Sequence, residues 1–251
     1  MSFKFVQMSD PQLGFYASRH PDTEGIDYEI KNLSKAIAIT NKISPDFVIT
    51  TGDLMQDRLE SSHADIVKKM YSELDCNYYF APGNADLTNN PEFEDIERYK
   101  KRFGSDHYSF YHMNSQFIIL NSCVLQDWSK VAGENSKQIT FLEQQLQNGQ
   151  QNKSSHQLIF MHHPLFGTDP EEDDSHMVLP KSQRAKILNL LDLYKVSAVF
   201  TGHWHANNIL TYKSTQLITS GPITFPLGEE PSGIRLIEVD GDNLTHEYIE
   251  L

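Results

Sequence analysis

The chain has 251 residues, with 21 Lys and Arg against 34 Asp and Glu for a formal charge of −13, 39% hydrophobic and 22% charged residues, and two cysteines. A charge of this sign disfavours an extended phosphate-neutralising surface, so neither nucleic acid nor an anionic membrane is an expected partner. The length fits one large α/β or all-β domain as well as two small ones, and no uncharged apolar stretch approaches the roughly 18 residues of a spanning helix.

Residues 3–8 (FKFVQM) open the chain as a buried strand, and helical spacing follows over 28–43 through Ile30, Leu33 and Ile37. The alternation then repeats. Strands are expected at 47–51, 78–81, 117–121, 158–161 and 198–201, and helices at 63–74, 91–103, 137–146 and 182–194. After His205 come short runs at 208–212, 216–219, 234–239 and 244–249, divided by KST, GPITFPLGEEPSG and DGDN, as in antiparallel hairpins. No repeat or linker composition marks a boundary, so a single domain over 1–251 with two packed sheets is expected. Cys76 and Cys123 lie far apart in or beside apolar runs and read as small core residues in a reducing setting. MSFKFVQMSD has no secretory h-region, so a cytoplasmic setting is expected, and the chain is expected to be a monomer.

Five of the strands end in clusters of small or metal-capable residues. They are Asp10 and Gln12, Asp53 and Asp57, Asn84 and Asp86, His162 and His163, and His203 and His205. Loops at the carboxyl ends of strands are where α/β folds build their sites, so all five can converge on one rim. Asp, Asn, Gln and His supply oxygen and nitrogen donors for Mn, Fe or Zn, and a carboxylate such as Asp53 can bridge two cations. Glycines before Asp53, Asn84 and His203 suggest tight turns that aim each donor inward. Taken singly, such residues are more often caps or turn formers, but five in series reverse those odds.

In order and spacing, DPQ, GD, GNAD, MHHP and GHWH resemble the calcineurin-like metallophosphoesterase superfamily, whose signature is D-x-H, GD, GNH, H and GHxH, each after a strand. The resemblance covers nearly the whole chain. More narrowly, the chain is similar to the single-domain calcineurin-like phosphoesterase domain-containing proteins, whose animal members are described as Ser/Thr protein phosphatases. That likeness rests on DPQ in place of D-x-H, HYSF at 107–110, ILNS at 119–122, HHPLF at 162–166, EEDD at 171–174 and SGIRL at 232–236.

The resemblance implies a four-layer αββα sandwich, with two mixed β-sheets flanked by helices and the metal site in the loops at the strand carboxyl ends. It implies hydrolysis of phosphomonoesters, phosphoserine or phosphothreonine among them, by attack of a metal-activated water at a dinuclear site. Two divalent ions (Mn, Fe, Mg or Zn) and a phosphoprotein or small phosphoester substrate follow from it. By position, Asp10 and His205 belong to the first metal, Asp53 to both, and Asn84, His162 and His203 to the second, with Asn84 also a substrate contact.

Two residues depart from the pattern. Gln12 stands where the superfamily has histidine; its carbonyl oxygen is a weaker donor than imidazole, so the first metal is expected to be loosely held, contacted through water, or biased toward harder ions such as Mg or Mn. Ala85 stands where it commonly has the histidine that protonates the leaving oxygen, a loss typically worth roughly 10²–10⁴ in rate. A branch that works without the acid, a deliberate replacement, or a non-catalytic descendant that binds phosphate or phosphopeptide would each explain Ala85. Cyclic-nucleotide phosphodiesterase action is a rival within the enzyme class. His163 has three readings: behind the metal, lining the cleft with a catalytic part, or packing. Arg19, in a segment 14–27 read as a surface loop, is a candidate phosphate contact, and the acidic loop 169–174 is a candidate attractor of basic peptide.

Overall fold

The computed structural model describes residues 2–20, 22 and 25–251. In chain order its elements are β1 (Ser2–Met8), α1 (Phe15–Arg19), α2 (Asp27–Ile43), β2 (Phe47–Thr51), α3 (Ser61–Tyr71), β3 (Asn77–Ala81), α4 (Phe93–Phe103), β4 (Tyr108–His112) and β5 (Ser115–Ile119). There follow α5 (Cys123–Gln126), α6 (Glu134–Gln151), β6 (His156–Phe160), α7 (Lys181–Tyr194), β7 (Ala198–Thr201), β8 (Asn208–Tyr212), β9 (Thr215–Thr219), β10 (Gly233–Asp240) and β11 (Asn243–Glu250).

Two mixed sheets result, ordered β11-β10-β1-β2-β3 and β4-β5-β6-β7-β9-β8. Side chains alternate across a strand, so one sequence feeds two cores. Phe3 and Phe5 of β1, Phe47 and Ile49 of β2, Phe117 and Ile119 of β5, and Phe160 and Phe200 of β6 and β7 point between the sheets and form one buried cluster. Phe5 stands at its centre, 5.3 Å from Phe47 and 5.5 Å from Phe117 between ring centroids. Val6, Met8 and Val48 face outward and pack with Leu33 and Ile37 of α2 and Val67 and Met70 of α3. Ile118, Ile159 and Val199 do the same on the other sheet, against Leu142 and Leu146 of α6 and Ile187 and Leu191 of α7. Helices thus flank both sheets, as the resemblance implied. Among the described residues no helix is long and apolar enough to cross a membrane.

Four elements depart from the sequence reading, the short α5 among them. β4 was not expected: it is the edge strand beside β5, only partly buried, so its alternation is weak. α1 occupies part of the segment read as a surface loop. The buried Glu29 carboxylate substitutes for a local cap there, accepting the Gly14 N–H at 3.0 Å and the Ala17 N–H at 3.2 Å. α6 extends beyond 137–146 at both ends, because polar Asn135 and Gln138 lie on its buried face and conceal the period. Pro21, Thr23 and Glu24 of the segment 14–27 lie outside the described residues.

The parallel strands β1, β2 and β3 of one sheet, and β5, β6, β7 and β9 of the other, all deliver their carboxyl ends to one rim.

Candidate metal centre

Asp10 and Gln12 leave β1, Asp53 leaves β2 and Asn84 leaves β3, while His162 leaves β6 and His203 and His205 leave β7. Five of these residues have backbone φ in the left-handed region: Asp10 at 48°, Gln12 at 36°, Asp53 at 52°, His203 at 73° and His205 at 53°. Such conformations cost a non-glycine residue of order 1–3 kcal/mol and persist where packing over-determines them. The glycines act differently from one another. Gly52, at φ 93°, needs conformational freedom, and a Cβ there would also lie 2.6 Å from His162 Nδ1. Gly83 and Gly202 have no positive φ; a Cβ on Gly83 would collide with Asp53, and one on Gly202 with Ser9 and Asp10. Their role is close approach, which corrects the expectation that all three turn the chain.

On one side, donor atoms of Asp10, Asp53 and His205 lie within 4.8 Å of one another, all in buried side chains. His205 Nδ1–H donates to the Phe225 carbonyl at 2.6 Å, which turns the Nε2 lone pair toward Asp10 Oδ1, 3.5 Å away. Asp10 Oδ1 and Gln12 Oε1 are buried without a hydrogen-bond partner. The Gln12 amide nitrogen is engaged, donating to Asp53 Oδ2 at 3.2 Å and Gln56 Oε1 at 2.9 Å. Ser9 Oγ donates to Asp10 Oδ2, and the His203 N–H reaches the same oxygen at 3.2 Å.

On the other side, three acceptors surround His162 Nε2: Asn84 Oδ1 at 2.9 Å, Asp53 Oδ1 at 3.3 Å and His203 Nδ1 at 3.1 Å. The outer nitrogens are spoken for, since His162 Nδ1 donates to the Thr51 carbonyl at 2.8 Å and His203 Nε2 to the His176 carbonyl at 3.0 Å. Burial alone would push His162 down, but the Asp53 carboxylate raises it to about 9. Burial and the neighbouring His162 drive His203 down to about 3. His162, in turn, outweighs the burial of Asp53 and lowers its carboxyl below the usual range. One proton amid four converging donors occupies the place that a divalent cation fits better, and the orphaned oxygens on the Asp10 side fit a second.

Asp86 braces this centre, accepting the N–H groups of Leu54 at 2.8 Å, Met55 at 3.2 Å and Gly83 at 2.9 Å. Ala85 contributes its N–H to Asp53 Oδ1 at 2.8 Å and otherwise offers a half-buried methyl. His163 is fully buried, and its Nε2 has no hydrogen-bond partner. It stands behind the centre, its Nδ1 2.8 Å from the Ser122 hydroxyl and its ring 4.5 Å from that of His203. Arg19 is exposed and lies over the Phe15 ring at 4.5 Å, while Phe15 packs 5.2 Å from His205. The sequence reading missed Ser122, whose oxygen accepts the N–H groups of both His162 and His163; its place after a strand in ILNS was the available signal.

A four-layer αββα sandwich carrying Asp, Asn and His donors at the carboxyl ends of strands from both sheets defines a metallophosphoesterase. The family profile of calcineurin-like phosphoesterases matches residues 3–207, and the chain belongs to that family. It is 30% identical to the serine/threonine-protein phosphatase CPPED1 of Rattus norvegicus and 29% identical to that of Homo sapiens, each alignment covering 99% of this chain and 84% of the relative. In structure it is similar to a dimetal phosphatase from Danio rerio (TM-score 0.77, 13% identity, 99% of this chain and 97% of that one). It is also similar to a purple acid phosphatase from yellow lupin (TM-score 0.74, 17% identity, 100% of this chain and 52% of that one).

Proposed function

We propose that this phosphoesterase hydrolyses phosphomonoesters, phosphoserine and phosphothreonine in proteins among them, at a centre holding two divalent ions. The observation that carries this reading is the double convergence of donors: Asp10, Gln12, Asp53 and His205 on one side, Asp53, Asn84, His162 and His203 on the other. Bound there, Mn, Fe, Mg or Zn would polarise the phosphoryl group and lower the pKa of a water for attack. Asp53 stands between the two sides, and Asn84, half-buried, would hold a phosphoryl oxygen through its amide N–H₂. The serine/threonine specificity is supported by the names of relatives aligned over almost all of this chain. The two unpaired cysteines agree with a cytoplasmic setting, and the reading treats the chain as one domain and a monomer.

Ala85 favours a second reading, a scaffold that binds phosphate or phosphopeptide without turnover. Reconstituting the protein with Mn²⁺ and following an aryl phosphate, a phosphoserine peptide and a cyclic nucleotide side by side separates these readings. Hydrolysis of the first two is expected. Phosphate binding without turnover points to the scaffold, faster cyclic-nucleotide cleavage to a diesterase, and a protein that takes up no metal defeats the reading.

A further inference from the structure

Arg184, in the first turn of α7, is fully buried. A buried cation is costly unless it is paired, and the first turn of a helix, where the dipole is positive, is a poor place for one. Its guanidinium nevertheless directs all its hydrogen bonds to main-chain carbonyls: Leu179 from Nε at 3.2 Å and Nη2 at 2.9 Å, and Pro170 at 2.8 Å and Glu172 at 3.0 Å from Nη1. All three carbonyls belong to the connection between β6 and α7. That segment thus closes on Arg184 at several points along its length.

The same segment is tied at its start by Glu172, whose carboxylate accepts the N–H groups of Gly167 at 2.8 Å, Thr168 at 3.0 Å and Asp169 at 3.3 Å. Between the tied parts and Leu179 lie His176 and Met177. The His176 carbonyl receives His203 Nε2–H at 3.0 Å, and the Met177 carbonyl receives Trp204 Nε1–H at 2.7 Å. Trp204 also lies so close to Gly167 that a Cβ there would collide with the indole, and Asn208 Nδ2 donates to the Gly167 carbonyl at 3.0 Å. The 167–179 strap and the loop carrying His203 are therefore docked at several points. For His203 the contact decides chemistry as well as position: a carbonyl on Nε2 keeps the proton there and leaves Nδ1 free to face His162.

We infer that Arg184 is a positioning residue for the candidate metal centre: it holds the strap so that the His176 carbonyl fixes the His203 ring and tautomer, with Nδ1 presented as the donor. This inference rests on the proposed metal reading, yet its structural part holds in the metal-free protein as well. The buried cation is retained because a planar guanidinium can bind three separate carbonyls at once, which an ammonium on a flexible stem cannot do in the same geometry.

The experiment compares the full chain with Arg184→Met and the milder Arg184→Lys, the second guarding against a variant that does not fold. Long-range ¹⁵N–¹H spectra of the metal-free proteins report the His203 tautomer, hydrogen exchange reports the strap amides, and calorimetry with Mn²⁺ reports stepwise metal affinity. Both variants are expected to lose the single Nε2–H form of His203 and to speed exchange in 167–179. They are expected to weaken the binding step that uses His203 roughly tenfold or more, leaving the step that uses Asp10 and His205 near its original value. A general loss of thermal stability with the His203 tautomer unchanged, or unaltered spectra in a well-folded Arg184→Lys, would overturn the inference. If the full chain binds no Mn²⁺, the functional reading fails, and the tautomer and exchange measurements still decide the role of Arg184.

Discussion

Ala85 concentrates the chemistry of the site into one side chain. Its N–H holds Asp53, a task any residue but proline could perform, while its methyl can neither hydrogen-bond a phosphoryl oxygen nor protonate a departing one. Ala85→His is expected to raise turnover of alkyl phosphates by roughly 10²–10⁴ while gaining much less on nitrophenyl phosphate, whose leaving group departs without a proton. Steady-state rates of the two proteins on both substrates check this; equal gains on both would place the missing function in binding. At the same scale, the donor identities were legible in the sequence because each follows a strand. Their left-handed backbones were not. Nothing in DPQ or GHWH announces that Asp10, Gln12, His203 and His205 take positive φ, since that conformation is imposed by the loops around them. Buried charges outside the donor set were equally hidden. Glu29 and Arg184 sit in polar stretches and find their partners on the main chain, where no side-chain pattern reveals them.

Among the elements, strands were the easiest to foresee wherever both faces are buried. β1, β2 and β6 read as apolar runs because alternate residues feed the inter-sheet core and the helical layer. β4 escaped because it is an edge strand, and α1 and α5 because five and four residues carry no period. The turn between α4 and β4 also reaches toward the site. Asp106 there is buried, accepts Asn121 Nδ2 at 2.9 Å and pairs with His107 Nδ1 at 3.0 Å, while Asn121 immediately precedes the Ser122 that fixes His162 and His163. Burial alone would raise the Asp106 carboxyl, but His107 and Asn121 hold it below its ordinary value. A carboxyl lowered in the folded state stabilises the fold above its unfolded pKa of about 3.9, and that contribution fades as pH falls below it toward the folded value. Asp106→Asn should therefore cost about 1–3 kcal/mol at neutral pH and flatten the loss of stability below roughly pH 4. Urea unfolding of both proteins between pH 3 and 7 measures this; parallel curves would remove the carboxylate from the account.

For the whole molecule, the stability of the sandwich and the occupancy of its rim are linked. A ligand that binds only the folded chain adds about 2.7 kcal/mol per site at a hundred times its Kd, and a chain of this size gains roughly 2–4 °C per kcal/mol. Saturating Mn²⁺ is thus expected to raise the Tm by roughly 10–20 °C over the chelated protein if both sides fill, and by about half that if Gln12 leaves one side weak. Differential scanning with and without chelator distinguishes these, and repeating it near pH 5 should shrink the gain, because imidazole must be neutral to bind.

The donors are divided between the layers: Asp10, Gln12, Asp53 and Asn84 come from one sheet, His162, His203 and His205 from the other. A cation seated among them would rivet the two halves of the sandwich at their upper edge. It would leave by shedding donors of both layers in turn, and the aromatic interior beneath holds those donors in place. Exchange of the ion should then be slow even where its equilibrium affinity is modest. A chelator would strip the protein at a pace set by the successive release of donors from the two layers.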